Sequence, residues 1–484
     1  MLGGAARQPN WLRVCVLAVA LGLTSCATVG DNDQAGDLPR ATPTALPAEA
    51  PRVIAPPNAE DRESARVLAS YGGAYRNATL ERYLDDLVQR LAAQSDRPDI
   101  PYKLTVLNAS SINAFALPSG RLYVTRGLLA LANDDAEIAA VIAHEMAHVS
   151  ARHAAARADR ERQSLVVSKV ASVVHNPGLV SSSQNSLASF SRQQELNADE
   201  IGIRTIAKAG FDPYGAARFL TSMRRQVEAR SRQTTPDFLS THPSTPERIA
   251  KANTEAAQYG APGSGEHDKF RYLSVIDGIT YGEDPAQGYV QGRIFWQPRL
   301  AFTFTAPPNF TLDNTPQAIL GVDGNGRALR LDTVKTKDGQ SLSDYLASGW
   351  ISGVDTSSVS TLRINGNEAA TALARGTDWS FRLYAIRFGS DVYRLILAAR
   401  DLNAATDTLF QETANSFRRM TPDELRNVRP EHIDIITVRS GDTLQSLAAR
   451  MAGPQDQLER FLVLNGFDET SPLRPGDRVK VVTQ

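Results

Sequence analysis

The stretch that decides the fold is residues 133–149, which read NDDAEIAAVIAHEMAHV. It begins with Asn133 and an acidic first turn, as helix N-termini prefer, and its apolar residues then recur at helical spacing. His144 and His148 are four residues apart, so on a helix their imidazoles lie one turn apart on the same face, with Glu145 beside them. This spacing predicts that both histidines bind one metal ion while Glu145 faces a water on that ion. The alternative is a helix with two incidental histidines.

A second helix-like stretch, residues 191–199 (SRQQELNAD), offers the further ligand that such a site needs. Imidazole ligands suit zinc, and a catalytic zinc centre takes a third protein ligand and keeps one position open. Glu195 and Asp199 are one helical turn apart, so Glu195 can bind the ion while Asp199 accepts a hydrogen bond from a ligand imidazole. On its own, a carboxylate pair at this spacing is also typical of a solvated helix face.

Five motifs occur in a fixed order along about 200 residues of the chain. They are NAFALPSG (113–120), YVTRGLL (123–129), the histidine helix, the Glu195–Asp199 pair, and STHPSTPERI (240–249). Together they resemble the zinc metallopeptidases related to the heat-shock protease HtpX and the prenyl-protein endopeptidase, and most closely the periplasmic BepA-like branch. Unlike HtpX, the sequence has no transmembrane helices around this segment, which favours the periplasmic branch.

The resemblance implies a zinc endopeptidase with one zinc ion in its catalytic domain. It implies that His144, His148 and Glu195 are the zinc ligands, and that Asp199 supports them. Glu145 would be the general base, which takes a proton from the zinc-bound water that attacks the peptide carbonyl and passes it to the leaving amine.

The first motif resembles the edge strand of this family, along which an extended substrate pairs. Its residues are Asn113, Ala114, Phe115 and Ala116, followed by Leu117 and then Pro-Ser-Gly. Such pairing uses the main chain and therefore has little sequence specificity. A simple core hairpin is the alternative interpretation.

The last motif contains His242, just before a Thr-Pro-Glu sequence typical of a helix N-terminus. We expect its imidazole to approach the zinc, either as an extra ligand that keeps the enzyme latent or as an oxyanion stabiliser. A purely structural histidine in a turn is the alternative. Arg248 is expected to orient the site. His153 is five residues after His148, which rotates it away from the metal-facing side and excludes it as a ligand.

The N-terminus is typical of an export signal. An apolar run, Val14–Leu23, ends in the tetrapeptide LTSC, which resembles a bacterial lipobox and implies cleavage before a lipidated Cys26. The alternative is an uncleaved anchor helix, for which ten apolar residues are too few. We therefore predict a signal peptide over 1–25 and a lipidated, proline-rich tether over 26–61. Ala27 after the cysteine favours the outer membrane over the inner one, by resemblance to other lipoproteins.

Two further segments follow the metallopeptidase domain, which is predicted over 62–259. Residues 268–425 show strand-like alternation and a late helix, which predicts an α+β domain of unknown role, with no constellation of reactive side chains. Residues 435–484 resemble a lysin motif (LysM), for which the order strand, two helices, strand is expected. That resemblance implies binding to N-acetylglucosamine-containing glycan, hence peptidoglycan, although such a fold can also serve as a spacer.

Composition agrees with a multidomain chain. It has 484 residues, of which 52 are basic and 53 acidic, so the formal charge of −1 predicts no nucleic-acid partner. We predict a mainly α-helical zincin-type metallopeptidase domain with a small edge sheet, an α+β middle domain and a small βααβ LysM domain.

The predicted function is zinc-dependent hydrolysis of misfolded, misassembled or stalled envelope proteins in the periplasm, with the lipid anchor in a membrane and the LysM domain near peptidoglycan. The alternative is a latent or weakly active protease that acts mainly as a chaperone-like or peptidoglycan-binding scaffold. A peptidoglycan hydrolase is a third, weaker hypothesis, because the family resemblance is to peptidases.

Overall fold

The computed structural model describes residues 59–156, 190–229, 242, 245–337, 339–348, 351–453 and 456–484. The predicted signal peptide, the lipidated Cys26 and almost all of the tether lie outside them and stay predictions. Residues 56–484 cluster into one compact unit.

The elements are numbered along the described chain. The helices are α1 (Ala59–Ser70), α2 (Ala78–Gln94), α3 (Arg126–Leu131), α4 (Asp135–Ser150), α5 (Arg192–Lys208), α6 (Gly215–Ala229), α7 (Pro246–Ala256), α8 (Lys269–Ile276), α9 (Leu342–Ala347), α10 (Ala404–Asn415), α11 (Pro422–Arg426), α12 (Leu444–Ala448) and α13 (Gln457–Asn465). The strands are β1 (Lys103–Leu107), β2 (Ala114–Ala116), β3 (Arg121–Thr125), β4 (Thr280–Tyr281), β5 (Tyr289–Gln291), β6 (Ile294–Gln297), β7 (Phe302–Thr305), β8 (Thr311–Asn314), β9 (Ile319–Val322), β10 (Arg327–Val334), β11 (Val354–Ile364), β12 (Asn367–Arg375), β13 (Ser380–Phe388), β14 (Asp391–Ala399), β15 (Arg418–Arg419), β16 (Glu431–Thr437) and β17 (Arg478–Thr483).

Helix α4 is the centre of the first segment. Its N-cap is Asp134, whose side chain accepts a hydrogen bond from the Glu137 N–H, and every residue from Asp135 to His148 is buried. Helices α2, α5 and α6 pack around it. Gly202 allows α5 to come close, because a Cβ at that position would lie only 3.2 Å from the His144 nitrogen. The helix that carries both histidines therefore packs against three other helices.

A three-stranded sheet with the order β1-β3-β2 lies beside these helices. Strands β1 and β3 are parallel, whereas β2 is antiparallel to β3 and forms the edge. Strand β2 also contacts α4. This places the predicted substrate strand next to the histidine helix.

The middle segment has its own cores and two antiparallel sheets. The larger has the strand order β11-β12-β13-β14-β10-β9-β8, and the smaller has the order β15-β7-β6-β5. An aromatic cluster that includes Phe302 and Phe417 joins them, and the α10 side chain of Phe410 packs into the same core. A second core lies where α9 covers β12 and β13.

Helix α8 lies within the predicted middle domain of 268–425 but shares a core with the first segment. Its residues Tyr272, Leu273 and Ile276 are buried in the same core as α2 and α4, and β4 pairs with β16 of the C-terminal module. The domain bounds themselves stay predictions.

The C-terminal module follows the order strand, helix, helix, strand, as β16, α12, α13 and β17. Strand β4 extends its antiparallel pair to a three-stranded sheet with the order β17-β16-β4. Its core residues, among them Ile433 and Val481, belong to one continuous hydrophobic cluster with Leu87 and Ile138 of the first segment. This module is thus packed into the body of the protein.

Candidate functional site

Three separated parts of the chain bring the predicted site residues together. Helix α4 carries His144, Glu145 and His148, and α5 carries Glu195 one turn after its Ser191 capping box. His242 lies shortly before the N-terminus of α7. All five functional side chains are buried.

The spacing of the ligand atoms fits one zinc ion. The Nε2 atoms of His144 and His148 are 3.0 Å apart, and Glu195 has one oxygen 3.6 Å from the first and the other 3.5 Å from the second. His242 Nδ1 is 2.9 Å from Glu195 Oε1 and 3.4 Å from His144 Nε2. Tetrahedral zinc with nitrogen and oxygen ligands needs ligand atoms roughly 3.4 Å apart. Among the described residues, these four are the one group of three or more such side chains that could hold a metal ion.

Protonation also favours metal binding. Burial lowers the pKa of His144, and burial together with the neighbouring His144 and His242 lowers the pKa of His148 well below its usual value. Both imidazoles are therefore neutral near pH 7, which is the form that binds a metal ion.

Asp199 and Arg248 form a buried layer behind the ligands. Asp199 Oδ1 is 2.9 Å from His144 Nδ1, and Arg248 donates to both Asp199 oxygens, at 2.8 and 2.7 Å. A third guanidinium nitrogen lies 2.7 Å from Glu195 Oε2. Burial works to raise the pKa of Asp199, but hydrogen bonds from Arg248 and His144 lower it to about 2. Asp199 is therefore a carboxylate that holds His144 in one tautomer.

The structure adds two contacts that sequence reasoning missed. His153 Nδ1 lies 2.9 Å from His148 Nδ1, and the Phe190 ring stacks on His148 with a centroid distance of 4.0 Å. His153 lies outside the group of four residues that could hold a metal ion. It returns to His148 because α4 ends at Ser150 and Arg152 adopts a positive φ of 56°. A pattern of helical spacing cannot reveal a contact made after the helix ends.

Glu145 lies beside this cluster. Its Oε1 atom has no hydrogen-bond partner among the described residues and lies 3.8 Å from His242 Nε2. Burial, followed by the charge of Glu195, raises the pKa of Glu145 well above its usual value. A buried carboxyl with a raised pKa accepts a proton more readily than an exposed one.

The edge strand β2 can accept another strand. The residues on either side of β2 bond to β3. Asn113 O accepts from the Thr125 N–H at 2.9 Å, and the Leu117 N–H donates to Arg121 O at 2.8 Å. In an antiparallel pair such bonds alternate along the strand. The main-chain groups of Ala114 and Ala116 therefore point away from β3, toward the open edge.

Comparison with known families agrees with this geometry. Residues 78–256 match the family described as Peptidase family M48. This segment, which makes up less than half of the chain, is called the M48 domain below. Residues 436–482 match the LysM domain, which covers the C-terminal module. The recognition of a metallopeptidase domain with a LysM domain is therefore confirmed, and the cluster around His144 suits the zinc ion on which M48 peptidases depend.

Two groups of curated relatives align with the M48 domain. The beta-barrel assembly-enhancing protease of Escherichia coli (strain K12) is 30% identical over 193 residues, which is 37% of this chain and 39% of that protein. The mitochondrial metalloendopeptidase OMA1 of Schizosaccharomyces pombe is 34% identical over 193 residues, 38% of this chain and 56% of that protein. The chain thus spans about two fifths of the length of its bacterial relatives and about half of OMA1. A solved Bacteroides thetaiotaomicron structure has a TM-score of 0.22 and 14% identity over 31% of this chain and 55% of its own.

The membrane predictions concern a part of the chain that the structure does not describe. Within the described residues, no helix has both the length and the apolar character needed to cross a membrane. Lipidation at Cys26 and an outer-membrane location remain predictions.

Proposed function

We propose that this protein is a zinc-dependent endopeptidase of the bacterial cell envelope that cleaves misfolded or stalled envelope proteins. One observation carries the proposal: His144, His148 and Glu195 converge at zinc-ligand spacing, with the unpaired Glu145 Oε1 beside them. Each of these four residues is buried, so the charges that develop during hydrolysis would be weakly screened by solvent.

In the proposed mechanism, His144, His148 and Glu195 hold the ion and Asp199 fixes the orientation of His144. When bound, zinc polarises the scissile carbonyl and makes a water molecule more acidic. Glu145 would accept a proton at Oε1 from the water that attacks the carbonyl, and would then deliver this proton to the leaving amide nitrogen. The outward main-chain groups of Ala114 and Ala116 pair with the substrate backbone and align it with the site.

The position of His242 is an argument for a latent state of the enzyme. Its Nδ1 atom lies at ligand distance from the cluster, which favours the extra-ligand hypothesis over the oxyanion hypothesis for this conformation. As a fourth ligand it would occupy the position that a catalytic zinc keeps for water and substrate. His242→Ala should then raise basal cleavage. A fall in turnover with unchanged zinc affinity would instead identify His242 as an oxyanion stabiliser.

The place of action is proposed from the relatives and from the LysM module. A relative named beta-barrel assembly-enhancing protease supports envelope proteins as substrates, and LysM supports binding to peptidoglycan. Lipidation of Cys26 would tether the enzyme to a membrane, with the outer membrane favoured by Ala27. The periplasm is the compartment in which envelope proteins, peptidoglycan and a membrane anchor are all within reach.

The test compares protein that begins after Cys26 with its Glu145→Gln variant. We expect both to bind one zinc ion, measured by atomic emission, and only the first to degrade an unfolded protein. Glu200→Gln, which changes an exposed carboxylate on α5, is the matched control and should leave cleavage unchanged.

Two other outcomes would contradict the proposal. Zinc binding without cleavage by either protein, even after His242→Ala, would support the scaffold alternative. Release of soluble fragments from purified peptidoglycan, without cleavage of protein, would support a peptidoglycan hydrolase.

A further inference from the structure

A cleft of about 560 Å³ opens where three parts of the chain meet. Its walls come from the M48 domain, from the start of the middle segment and, through Leu464, from the LysM module. The M48 domain alone cannot form this cleft, because residues 280–287 and 313–317 complete it.

The cleft lies at one end of the proposed substrate strand. Ser110, Ser111 and Ile112 line it and lead directly into β2. Tyr71 lines it as well, and its hydroxyl accepts a hydrogen bond of 2.8 Å from Asn113 Nδ2. The Tyr71 ring also packs against Phe115, with a centroid distance of 5.5 Å. A polypeptide paired along β2 would therefore run into the cleft after about three residues, since an extended chain advances roughly 3.3 Å per residue.

Arg126 is the one cation among the described residues that line the cleft, and its side chain already bonds to other parts of the protein. Arg126 is only 1% exposed, and its Nη1 atom donates to the carbonyl oxygens of Thr280 and Gly282 at 2.9 and 2.6 Å. Its Nε atom donates to Asn108 Oδ1 at 2.8 Å. These bonds join the M48 domain to the middle segment, and they leave the guanidinium unable to turn toward a ligand.

Three carboxylates of the middle segment line the same cleft: Glu283, Asp284 and Asp313. Asp284 accepts hydrogen bonds from Asn108 and Ala286, and Glu283 accepts one from the Val290 N–H at 2.7 Å. None of these partners is a cation. Burial raises the pKa of Glu283, against the charge of the neighbouring Arg126, and burial also raises the pKa of Asp313. Among the described residues, the wall of the cleft thus carries three carboxylates and one cation, and its net charge is negative.

We propose that this cleft binds the part of an unfolded substrate that extends beyond β2, and that it prefers a lysine or arginine side chain there. The inference rests on the proposed endopeptidase function and names a determinant of its substrate selection. An extended chain is favoured by continuity with the edge strand, and a basic side chain is favoured by the two carboxylates Glu283 and Asp313. Because the middle segment forms the wall, this gives that segment a role in substrate choice.

The test uses quenched fluorescent peptides of one sequence in which lysine, glutamine or glutamate is scanned over the positions three to seven residues from the cleaved bond. We expect one position at which lysine lowers KM about fivefold relative to glutamate, with little change in kcat, as for a solvent-accessible ion pair. Glu283→Gln and Asp313→Asn should remove this preference, because both keep shape and remove charge. Asp378→Asn, at an exposed carboxylate of the same segment, is the control and should keep it.

A binding measurement separates failure of this inference from failure of the proposed function. The non-cleaving Glu145→Gln protein should bind the labelled lysine peptide more tightly than the glutamate peptide, by anisotropy, even if no peptide is ever cut. Cleavage by the native protein without any charge preference would overturn the cleft assignment and leave the endopeptidase proposal standing. Displacement of the peptide by N-acetylglucosamine oligomers, lost in Asp313→Asn, would overturn it in favour of a glycan site.

Discussion

Lys480 of the LysM module should be required for the stability of the M48 domain. It lies on β17, its side chain is fully buried, and its ammonium donates to the carbonyl oxygens of Ala130, Leu131 and Ala132 at 2.7, 3.2 and 2.8 Å. These carbonyls end helix α3, where the partial charge of a helix is negative. Lys480 therefore satisfies polar groups of a domain that precedes it by more than three hundred residues.

The same ammonium faces a buried carboxylate at the start of the histidine helix. Burial, then the charge of Asp134, raises the pKa of Glu137 to about 7, while Arg218 and Lys480 act in the opposite direction. Burial lowers the pKa of Lys480 well below its usual value, against the attraction of Glu137. Glu137 is thus offset by two cations, Arg218 and Lys480, and by a hydrogen bond from the Asn133 N–H.

Lys480→Met keeps the volume and the apolar stem but removes the charge. It relieves the desolvation of the ammonium, but it leaves the three carbonyls without their donor and removes one of the two positive charges that act on Glu137. Leaving a buried polar group unsatisfied costs about 1–3 kcal/mol, so we expect a loss of unfolding free energy of roughly 3 kcal/mol. Lys335→Met is the control: its side chain is 85% exposed and pairs with Asp391, so the expected change is below about 0.5 kcal/mol.

The assay is urea unfolding followed by far-UV circular dichroism, by zinc release and by tryptophan fluorescence. Trp296 and Trp379 lie in the middle segment, which has cores of its own. Zinc release should therefore shift to lower urea in Lys480→Met, whereas the fluorescence transition should stay close to that of the native protein. Equal midpoints of zinc release for Lys480→Met and Lys335→Met would refute the reasoning.

Three further predictions follow from the site and its supports. Arg248→Lys should weaken zinc binding about 10- to 100-fold, measured by competition with a chelator, because lysine cannot make the paired bonds to Asp199; Arg204→Lys, at an exposed ion pair with Asp96, should not. His153→Ala should weaken zinc binding about tenfold by releasing His148 Nδ1, and unchanged affinity would show that the 2.9 Å contact does not orient the ligand. Burial raises the pKa of Asp135 to about 6, above its unfolded value of about 3.9, so this group contributes stability that is fully present below the unfolded pKa and is lost as pH rises through 6. When the pH is lowered from 7 to 4, the unfolding free energy of Asp135→Asn should therefore gain about 2 kcal/mol less than that of the native protein. An equal gain in both proteins would contradict the raised pKa of Asp135.

Local sequence determined much of the catalytic segment. The acidic N-terminus of α4, the spacing of His144 and His148, and the second pair at Glu195 and Asp199 are all consequences of helical periodicity, which a linear sequence expresses directly. The structure brings these residues together. His242 was assigned through family resemblance alone, because a histidine in a turn carries no periodic signal.

Only the tertiary structure decided how the modules join and what lies between them. His153 returns to His148 after the helix has ended, and α8 shares a core with α2 and α4. Lys480 bonds to α3, and Arg126 bonds to Thr280, across sequence separations at which no pattern links the partners. The physical reason is that burial of a charge depends on which surfaces meet, and those surfaces come from distant segments. The acidic cleft beside β2 exists for the same reason, since it is formed by three segments that are not adjacent in sequence.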